Sequence, residues 1–246
     1  MHIIKLNAID STNSYLKKLA KETPLESYTA VVAKHQTKGR GQLGTAWLSE
    51  DDKNLTFSLI IHFEAFNIEQ QFYLSMAVSL GVLDVVKKYV KIPLMVKWPN
   101  DILAGKDKVA GILIENLLRG NLIKYSVVGI GLNVNQTEFP NNLGSVSSLK
   151  RITGNNYQLD DLMKAIIKSI EHYVDYIENS DFKKLKELYI VSLYNYKKPV
   201  MFEEKEGVTF LGKIVDISEE GKLVVELENE TTRNFNLKEI KFASRS

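Results

Sequence analysis

Apolar and polar residues follow two different periods along the chain. The stretches 2–8 and 54–63 alternate with the two-residue period of a β-strand, and 29–35 is an apolar run typical of a buried strand. Residues 10–13 offer helix-capping side chains before an apolar pattern with helical spacing. The pattern predicts further strands at 94–98, 102–104, 109–118 and 123–134. It predicts further helices at 68–89, 160–177 and 182–193.

The order of these elements indicates the fold class. Strands cluster, with long helices between some of them and no regular strand–helix–strand alternation, which favours an α+β fold with a mixed or antiparallel sheet. From Lys197 onward the chain changes to short strands separated by turn signals such as Glu206-Gly207. We therefore predict a larger domain at 1–195 and a small β-barrel or sandwich at 196–246.

Composition excludes several functional classes. The 246 residues carry a formal net charge of +2, and their basic and acidic residues are interleaved, so the stripe expected of a general nucleic-acid binder is missing. The absence of cysteine excludes disulfides, thiolate metal sites and a cysteine nucleophile. No signal peptide is visible and no apolar run reaches the roughly 18 residues of a membrane span, so we expect a cytoplasmic protein with no membrane partner.

A polar, glycine-rich segment at 36–47 follows the second predicted strand. Its glycines match G-x-G-x-x-G, the fingerprint of dinucleotide-binding folds. That fold needs a helix directly after the loop, whereas the next regular segment here has strand periodicity, so we interpret the match as accidental and reject an NAD-dependent oxidoreductase. The glycines still let backbone N–H groups approach an anion, and Arg40 adds a forked cation. A plain surface loop is the alternative.

The segment 97–101, Lys-Trp-Pro-Asn-Asp, places a cation, a large aromatic ring and a carboxylate at the end of an apolar strand. Lys108 follows across a tight turn that would return it toward Lys97. With Arg40, three cations would then converge with few acids nearby, which is costly unless an anion binds. We therefore predict a substrate with phosphates, a carboxylate or both. The alternative is a buried tryptophan beside a turn, with its charged neighbours solvated.

Five segments together, at 10–13, 39–47, 97–101, 108–115 and 129–133, resemble the signature segments of biotin–protein ligases and stand in that family's order. The likeness spans the whole chain, and the Lys-Trp-Pro-Asn-Asp and Lys-Val-Ala-Gly segments are its most specific parts. It implies a catalytic domain with a mixed sheet and flanking helices, similar to lipoate ligases and class II synthetases, followed by a small SH3-like β-barrel. The first strand begins at residue 2, which implies the form without an N-terminal DNA-binding domain.

The resemblance also implies the reaction, its ligands and its residues. Biotin and ATP, with Mg²⁺ accompanying ATP, would form biotinyl-5'-AMP, and biotin would pass to a lysine of a biotin carboxyl carrier protein domain. The implied biotin-binding residues are Ser11, Thr12, Asn13, Gln36, Gly39, Arg40, Gly41, Gln42, Lys108 and Gly111. The implied ATP-binding residues are Arg40, Trp47, Lys97, Asn100 and Asn133. The implied catalytic residues are Arg40, Lys97, Lys108 and Asp101, of which Asp101 would orient or deprotonate the acceptor lysine.

The glycine-rich segment departs from the family pattern in one respect. Some members carry basic residues where this chain has Gln42, Leu43 and Thr45, so we expect this enzyme to retain its adenylate less tightly. A lipoate–protein ligase of the same fold is the nearest alternative, although it does not explain Lys-Trp-Pro-Asn-Asp. A non-enzymatic biotin sensor is a further alternative. The sequence leaves the identity of the carrier and a homodimer open.

Overall fold

Residues 2–243, which a computed structural model describes, form twelve strands and five α-helices. The first sheet contains β1 (Ile3–Ile9), β2 (Ala30–Gln36), β3 (Leu55–Asn67), β4 (Leu94–Lys97), β5 (Asp101–Ala104), β6 (Asp107–Arg119) and β7 (Leu122–Leu132). The helices are α1 (Thr12–Glu22), α2 (Gln71–Val86), α3 (Leu149–Thr153), α4 (Leu159–Glu178) and α5 (Phe182–Val191).

The first sheet is mixed, in the order β1-β2-β3-β7-β6-β5-β4. Strands β1 and β2 pair in parallel because α1 carries the chain back between them. The other neighbours in this sheet are antiparallel, and β4, β5, β6 and β7 follow one another as a meander. The predicted α+β class with a mixed sheet is confirmed.

Helices cover both faces of the first sheet. On one face α1 buries Leu16 against Val31, Ile60 and Val127. On the other face α2 packs against α4, and α2 is apolar on nearly all sides because it lies between the sheet and its neighbours. A Cβ on Gly81 would lie 2.7 Å from the Ile170 side chain, so glycine at this position permits the close approach of α4.

The second sheet is antiparallel and follows the last helix. It contains β8 (Pro199–Glu204), β9 (Thr209–Ile217), β10 (Leu223–Leu227), β11 (Thr232–Phe235) and β12 (Ile240–Phe242). Their order is β11-β10-β9-β8-β12, and alternate residues such as Phe202, Ile214 and Val225 are buried. The predicted C-terminal β-structure is present in this part of the chain, while the boundary between 195 and 196 remains a prediction.

Several element ends differ from the sequence-based prediction, and one short helix was not predicted. The helix predicted at 68–89 begins with a 3-10 turn at Ile68–Gln70, since the Asn67 side chain accepts a 2.9 Å hydrogen bond from the Glu69 N–H and starts that turn. The short helix α3 was not predicted, because five residues give too little periodicity. Its ends are set by Ser148, whose side chain caps it, and by Gly154 at φ +78°.

Candidate active site

A cavity of about 720 Å³ lies between the two sheets. The second sheet and its connections contribute Phe202, Glu203, Glu204, Lys205, Ile214, Leu223, Leu237, Lys238, Ile240, Lys241 and Phe242. The predicted site residues in its wall are Ser11, Thr12, Asn13, Gln36, Arg40, Gly41, Gln42, Trp47, Lys97, Asn100, Asp101, Lys108 and Gly111. Residues more than 200 positions apart therefore meet around one space.

One end of the cavity is a polar pocket formed by Ser11, Thr12, Asn13 and Gln36. Ser11 is the N-cap of α1, and its hydroxyl accepts from the Ser14 N–H, so the first turn of the helix brings the next two side chains to the pocket. The side-chain oxygen Oε1 of Gln36 accepts from the backbone N–H and the hydroxyl of Thr12, at 2.8 and 3.1 Å. These hydrogen bonds fix the orientation of hydroxyl and amide groups that face the cavity.

Asn13 lies at the back of the polar pocket and is 3% exposed. Its Oδ1 is 2.5 Å from the Ser58 hydroxyl, and its Nδ2 donates to the Glu115 carboxylate at 3.0 Å. Gly129 lies beside it, and a Cβ there would be 2.3 Å from Asn13 Oδ1. The glycine in β7 is therefore needed for Asn13 to occupy its position.

The glycine-rich segment, the loop 39–47, is a small hairpin. Gly41 donates to the Thr45 carbonyl at 2.7 Å and Trp47 donates to the Gly39 carbonyl at 3.0 Å. A Cβ on Gly39 would be 2.4 Å from the Trp47 carbonyl oxygen, so glycine is required because the two arms approach closely. The loop contains a 3-10 turn at Gln42–Gly44, and the element that follows the loop is the strand β3 and not a helix, which agrees with the rejection of the dinucleotide-binding interpretation.

Trp47 turns its indole ring into the cavity. A Cβ on Gly131 would be 2.3 Å from the ring and a Cβ on Gly111 would be 3.1 Å from it, so the two glycines form a flat floor beneath the indole. Lys108 Nζ lies 5.7 Å from the ring centroid, which is cation–π distance. Within residues 2–243 the buried Trp47 Nε1 has no hydrogen-bond partner.

The Lys-Trp-Pro-Asn-Asp segment is the turn between β4 and β5. The Asn100 side chain donates to the Ile112 carbonyl at 2.8 Å, and the Ile112 N–H returns a 3.0 Å bond to the Asn100 carbonyl. These bonds tie the turn to β6. Lys97 and Asp101 stand opposite each other at the two ends of the turn, as paired residues of the antiparallel ladder, and both line the cavity.

The expectation that few acids lie near the three cations is wrong. Lys108 Nζ is 2.7 Å from Asp101 Oδ1, and Arg40 Nη2 is 2.7 Å from Glu115 Oε2. Carboxylates thus balance two of the cations, because charges of one sign gathered in a partly buried site need counter-charges. Within residues 2–243 no carboxylate is at ion-pair distance from Lys97, whose Nζ instead lies 5.8 Å from the Phe242 ring centroid.

Glu115 is a site residue to which sequence reasoning gave no role. Burial by itself raises the pKa of its carboxyl, but hydrogen bonds from Lys17 and Asn13 and the charge of Arg40 outweigh burial and hold that pKa below its ordinary value. The signal that could have found it is the strand period, since Glu115 is two residues beyond the cavity-lining Leu113.

Sequence reasoning also did not predict the cavity residues that come from the second sheet. Phe242 lies beside Lys97, and Lys238 Nζ donates to the backbone carbonyl of Leu43 at 3.3 Å, which connects the second sheet to the loop 39–47. No local signal in the sequence predicts which face of a C-terminal sheet meets the first one. These contacts arise from packing between elements that are distant in the chain.

Two predicted site residues lie outside the cavity wall. Gly39 stands at the base of the loop hairpin. Asn133 is buried, and its Nδ2 donates to the Ser147 carbonyl at 3.0 Å. Its backbone N–H donates to the Val109 carbonyl at 2.8 Å. The structure gives both residues a role in the backbone arrangement around the site, and their contacts with ligands remain predictions.

Comparison with known proteins gives consistent matches across the chain. The family described as "Biotin/lipoate A/B protein ligase family" matches residues 6–133, and the "Biotin protein ligase C terminal domain" matches residues 198–240. The bifunctional ligase/repressor BirA of Bacillus spizizenii is 30% identical over 233 residues, which cover 92% of this chain and 70% of that protein. The structure of the biotin protein ligase from Aquifex aeolicus in complex with biotin and ATP is 29% identical, with a TM-score of 0.80, and covers 98% of this chain and 99% of that one.

Proposed function

Because the chain belongs to the biotin/lipoate A/B protein ligase family, we propose that it is a biotin–protein ligase that uses ATP to attach biotin to a lysine of a carrier protein. The observation that carries this proposal is the single cavity that joins the polar pocket to the cations Arg40, Lys97 and Lys108. Its volume of about 720 Å³ lies in the range of pockets that enclose a small-molecule ligand. The Aquifex relative, similar along its whole length, binds biotin and ATP together.

Biotin is proposed to place its ureido ring in the polar pocket. The ring presents N–H donors and a carbonyl acceptor, and Ser11, Thr12, Asn13 and Gln36 supply hydroxyl and amide groups of both kinds. Gly111 and Gly131 let the Trp47 ring lie close against β6 and β7, where the ring would bound the apolar part of the ligand. The carboxylate of biotin would then point toward Lys108.

In the first chemical step a biotin carboxylate oxygen attacks the α-phosphorus of ATP. The new bond is O–P, the bond to the pyrophosphate oxygen breaks, and pyrophosphate leaves with its electron pair. Two anions must approach, so Lys108 would hold the biotin carboxylate while Lys97 spans that carboxylate and the α-phosphate. Arg40 would direct N–H donors that its contact with Glu115 leaves free toward the phosphoryl oxygens. Lys108 must exchange Asp101 for the biotin carboxylate in this arrangement.

In the second step the amine of the carrier lysine attacks the acyl carbon of the adenylate, and the acyl–phosphate bond breaks to release AMP. Asp101, once it has left Lys108, is a carboxylate that can take a proton from the lysine ammonium and so leave the neutral amine that attacks. Closure of the loop 39–47 with Gly41, Gln42 and Trp47 over the ligands would exclude water from the labile anhydride.

Mg²⁺ would enter with ATP, held by phosphate oxygens, and would offset phosphate charge. The cavity-lining carboxylates already have cationic partners, since Asp101 pairs with Lys108, Glu203 with Lys241 at 2.9 Å and Glu204 with Arg233 at 2.6 Å. That arrangement favours binding of the metal through the phosphates. The protein's own residues then act on the carboxylate and the α-phosphate.

The proposed acceptor is the biotin carboxyl carrier protein domain of a biotin-dependent carboxylase. None of the helices between residues 2 and 243 has the length and apolar character needed to cross a bilayer. The cytoplasmic location, the absence of a nucleic-acid partner and a homodimer remain predictions. The lipoate alternative is disfavoured, because the matching C-terminal family and the relative bound to biotin and ATP are both biotin protein ligases.

The test is to incubate the pure protein with Mg-ATP and either biotin or lipoate, and to follow pyrophosphate release and label transfer to a carrier domain. We expect biotin-dependent transfer that is lost in Lys97→Ala and in Lys108→Ala. Lys164→Ala, on the exposed side of α4, is the matched control and should behave as wild type. Transfer of lipoate alone, or adenylation of neither acid, would overturn the proposal.

A further inference from the structure

We propose that Glu115 is a positioning residue that holds the polar pocket and the loop 39–47 in one arrangement through Asn13 and Arg40. The inference rests on the proposed function, and it assigns a role in that reaction to a residue that need not touch the substrate. Glu115 stands on β6 and is not in the cavity wall, but its carboxylate contacts two residues that are, Asn13 of α1 and Arg40 of the loop 39–47.

Four hydrogen bonds converge on this carboxylate from two other elements. Oε2 accepts from Asn13 Nδ2 at 3.0 Å and from Arg40 Nη2 at 2.7 Å. Oε1 accepts from Lys17 Nζ at 2.8 Å and from Arg40 Nη1 at 3.4 Å. The guanidinium therefore binds in a fork, which fixes the direction of the Arg40 side chain as well as its distance. The Glu115 side chain is 21% exposed, so water screens these contacts incompletely.

The contact with Asn13 determines which end of its amide meets the rest of the pocket. With Nδ2 directed at Glu115, Oδ1 must face Ser58 and Gly129. A glutamine at position 115 would present an NH₂ group to donors of Asn13, Lys17 or Arg40, so at least one of those contacts would be lost. The change from carboxylate to amide thus disturbs the pocket and the loop without changing the size of the side chain.

The contact with Arg40 determines where the loop lies. In the loop hairpin Arg40 pairs with Ala46, and Trp47 follows Ala46 directly. The contact of Arg40 with Glu115 is thus connected through the hairpin to the Trp47 ring, which covers Gly131. The carboxylate of Glu115 also leaves one positive charge in excess, because it faces both Lys17 and Arg40. The loop is held in place while a net cationic charge remains for an anionic ligand.

The first experiment compares wild type, Glu115→Gln and the control Lys18→Ala without ligand. Lys18 is the neighbour of Lys17, is 77% exposed and reaches only as far as Glu22, in its own helix, for an ion pair among residues 2–243. Limited trypsin cleavage after Lys38 and Arg40 should be about tenfold faster in Glu115→Gln and unchanged in Lys18→Ala. An equal cleavage rate in wild type and Glu115→Gln, with both folded by circular dichroism, would overturn the anchoring role.

The second experiment measures release of biotinyl-adenylate, with the substitutions Glu115→Gln and Arg40→Ala combined in a double-mutant cycle. Glu115→Gln should speed release about tenfold and raise the KM for biotin, while kcat for pyrophosphate release at saturating biotin changes less than about threefold. In the Arg40→Ala background Glu115→Gln should add little to the release rate, because its partner in the loop is already gone, while the KM for biotin should still rise through the lost contact with Asn13. Additive effects on the release rate would show a merely structural role and overturn the inference. If wild type forms no adenylate, the proposed function fails, and the cleavage experiment still tests Glu115.

Discussion

Trp98 Nε1 donates a 2.9 Å hydrogen bond to the backbone carbonyl of Gly221, a residue 123 positions further along the chain. The donor belongs to the turn that carries Lys97 and Asp101, and the acceptor belongs to the turn between β9 and β10. The second sheet is therefore tied to the turn of the first sheet that carries these two proposed catalytic residues. Gly221 has φ +86°, and a Cβ there would be 2.3 Å from the Phe72 ring.

Gly221→Ala should weaken both stability and adenylation. We expect a loss of about 3 kcal/mol of unfolding free energy, from the left-handed backbone and the clash with Phe72 together. Gly207→Ala is the matched control, since Gly207 has φ +83° with open space around it, and it should cost about 1 kcal/mol. Urea denaturation and kcat/KM for ATP measure the two effects. Equal losses in both variants would contradict the proposed link between the sheets.

Asp101→Asn should separate the two chemical steps. The amide cannot accept the proton of the incoming lysine, so transfer of biotin to the carrier should slow by about a hundredfold. Adenylation should change far less, because Lys108 keeps its charge and is released from its ion pair. Single-turnover assays of pyrophosphate release and of carrier labelling distinguish the steps. Equal slowing of both would show that Asp101 acts mainly by positioning Lys108.

Gln42→Arg should slow dissociation of biotinyl-adenylate. Gln42 lines the cavity on the loop 39–47, and a guanidinium there would add a charge-assisted contact with the anionic ligand. We expect the off-rate to fall about tenfold, measured by chase with unlabelled biotin and ATP. Gln42→Met, with similar length and no charge, is the control. An unchanged off-rate in Gln42→Arg would contradict the expectation that the missing basic residue at position 42 weakens retention of the adenylate.

The contribution of Glu115 to stability should depend on pH. Burial raises its pKa, but hydrogen bonds from Lys17 and Asn13 and the charge of Arg40 prevail, so the folded pKa lies below the ordinary 4.5. A lowered folded pKa stabilises the protein above the ordinary value, and that stabilisation is lost as pH falls through the folded pKa. The difference in unfolding free energy between wild type and Glu115→Gln should be constant from neutral pH to about pH 5.5 and shrink below about pH 4.5. A constant difference at all pH values would refute this assignment.

Much of the first sheet was predictable because its strands carry local signals, either alternation of apolar and polar residues or a short apolar run. The strand predicted at 29–35 is β2 at Ala30–Gln36, and the capping residues at 10–13 stand where α1 begins, with Ser11 as its cap. Local patterns of this kind depend on neighbours in the chain. They are therefore visible before the fold is known.

The rest of the site depends on contacts between distant residues. Arg40 and Glu115 are 75 positions apart, and no local pattern predicts which carboxylate will pair with a given cation. The position of Phe242 beside Lys97 depends in the same way on how the second sheet packs against the first. The resemblance of whole segments located most of the cavity wall, whereas the pairing of its charges required the structure.

The wall of the cavity is drawn from both sheets, and this has a thermodynamic consequence. A ligand that contacts cavity residues as far apart as Ser11 and Phe242 binds only when both sheets are folded. It loses its site when either sheet unfolds. At a free concentration a hundred times its Kd, such a ligand adds about 2.7 kcal/mol to the free energy of unfolding. Substrate supply thus sets the melting temperature of the protein as well as its rate, and the two sheets unfold more cooperatively when the cavity is filled.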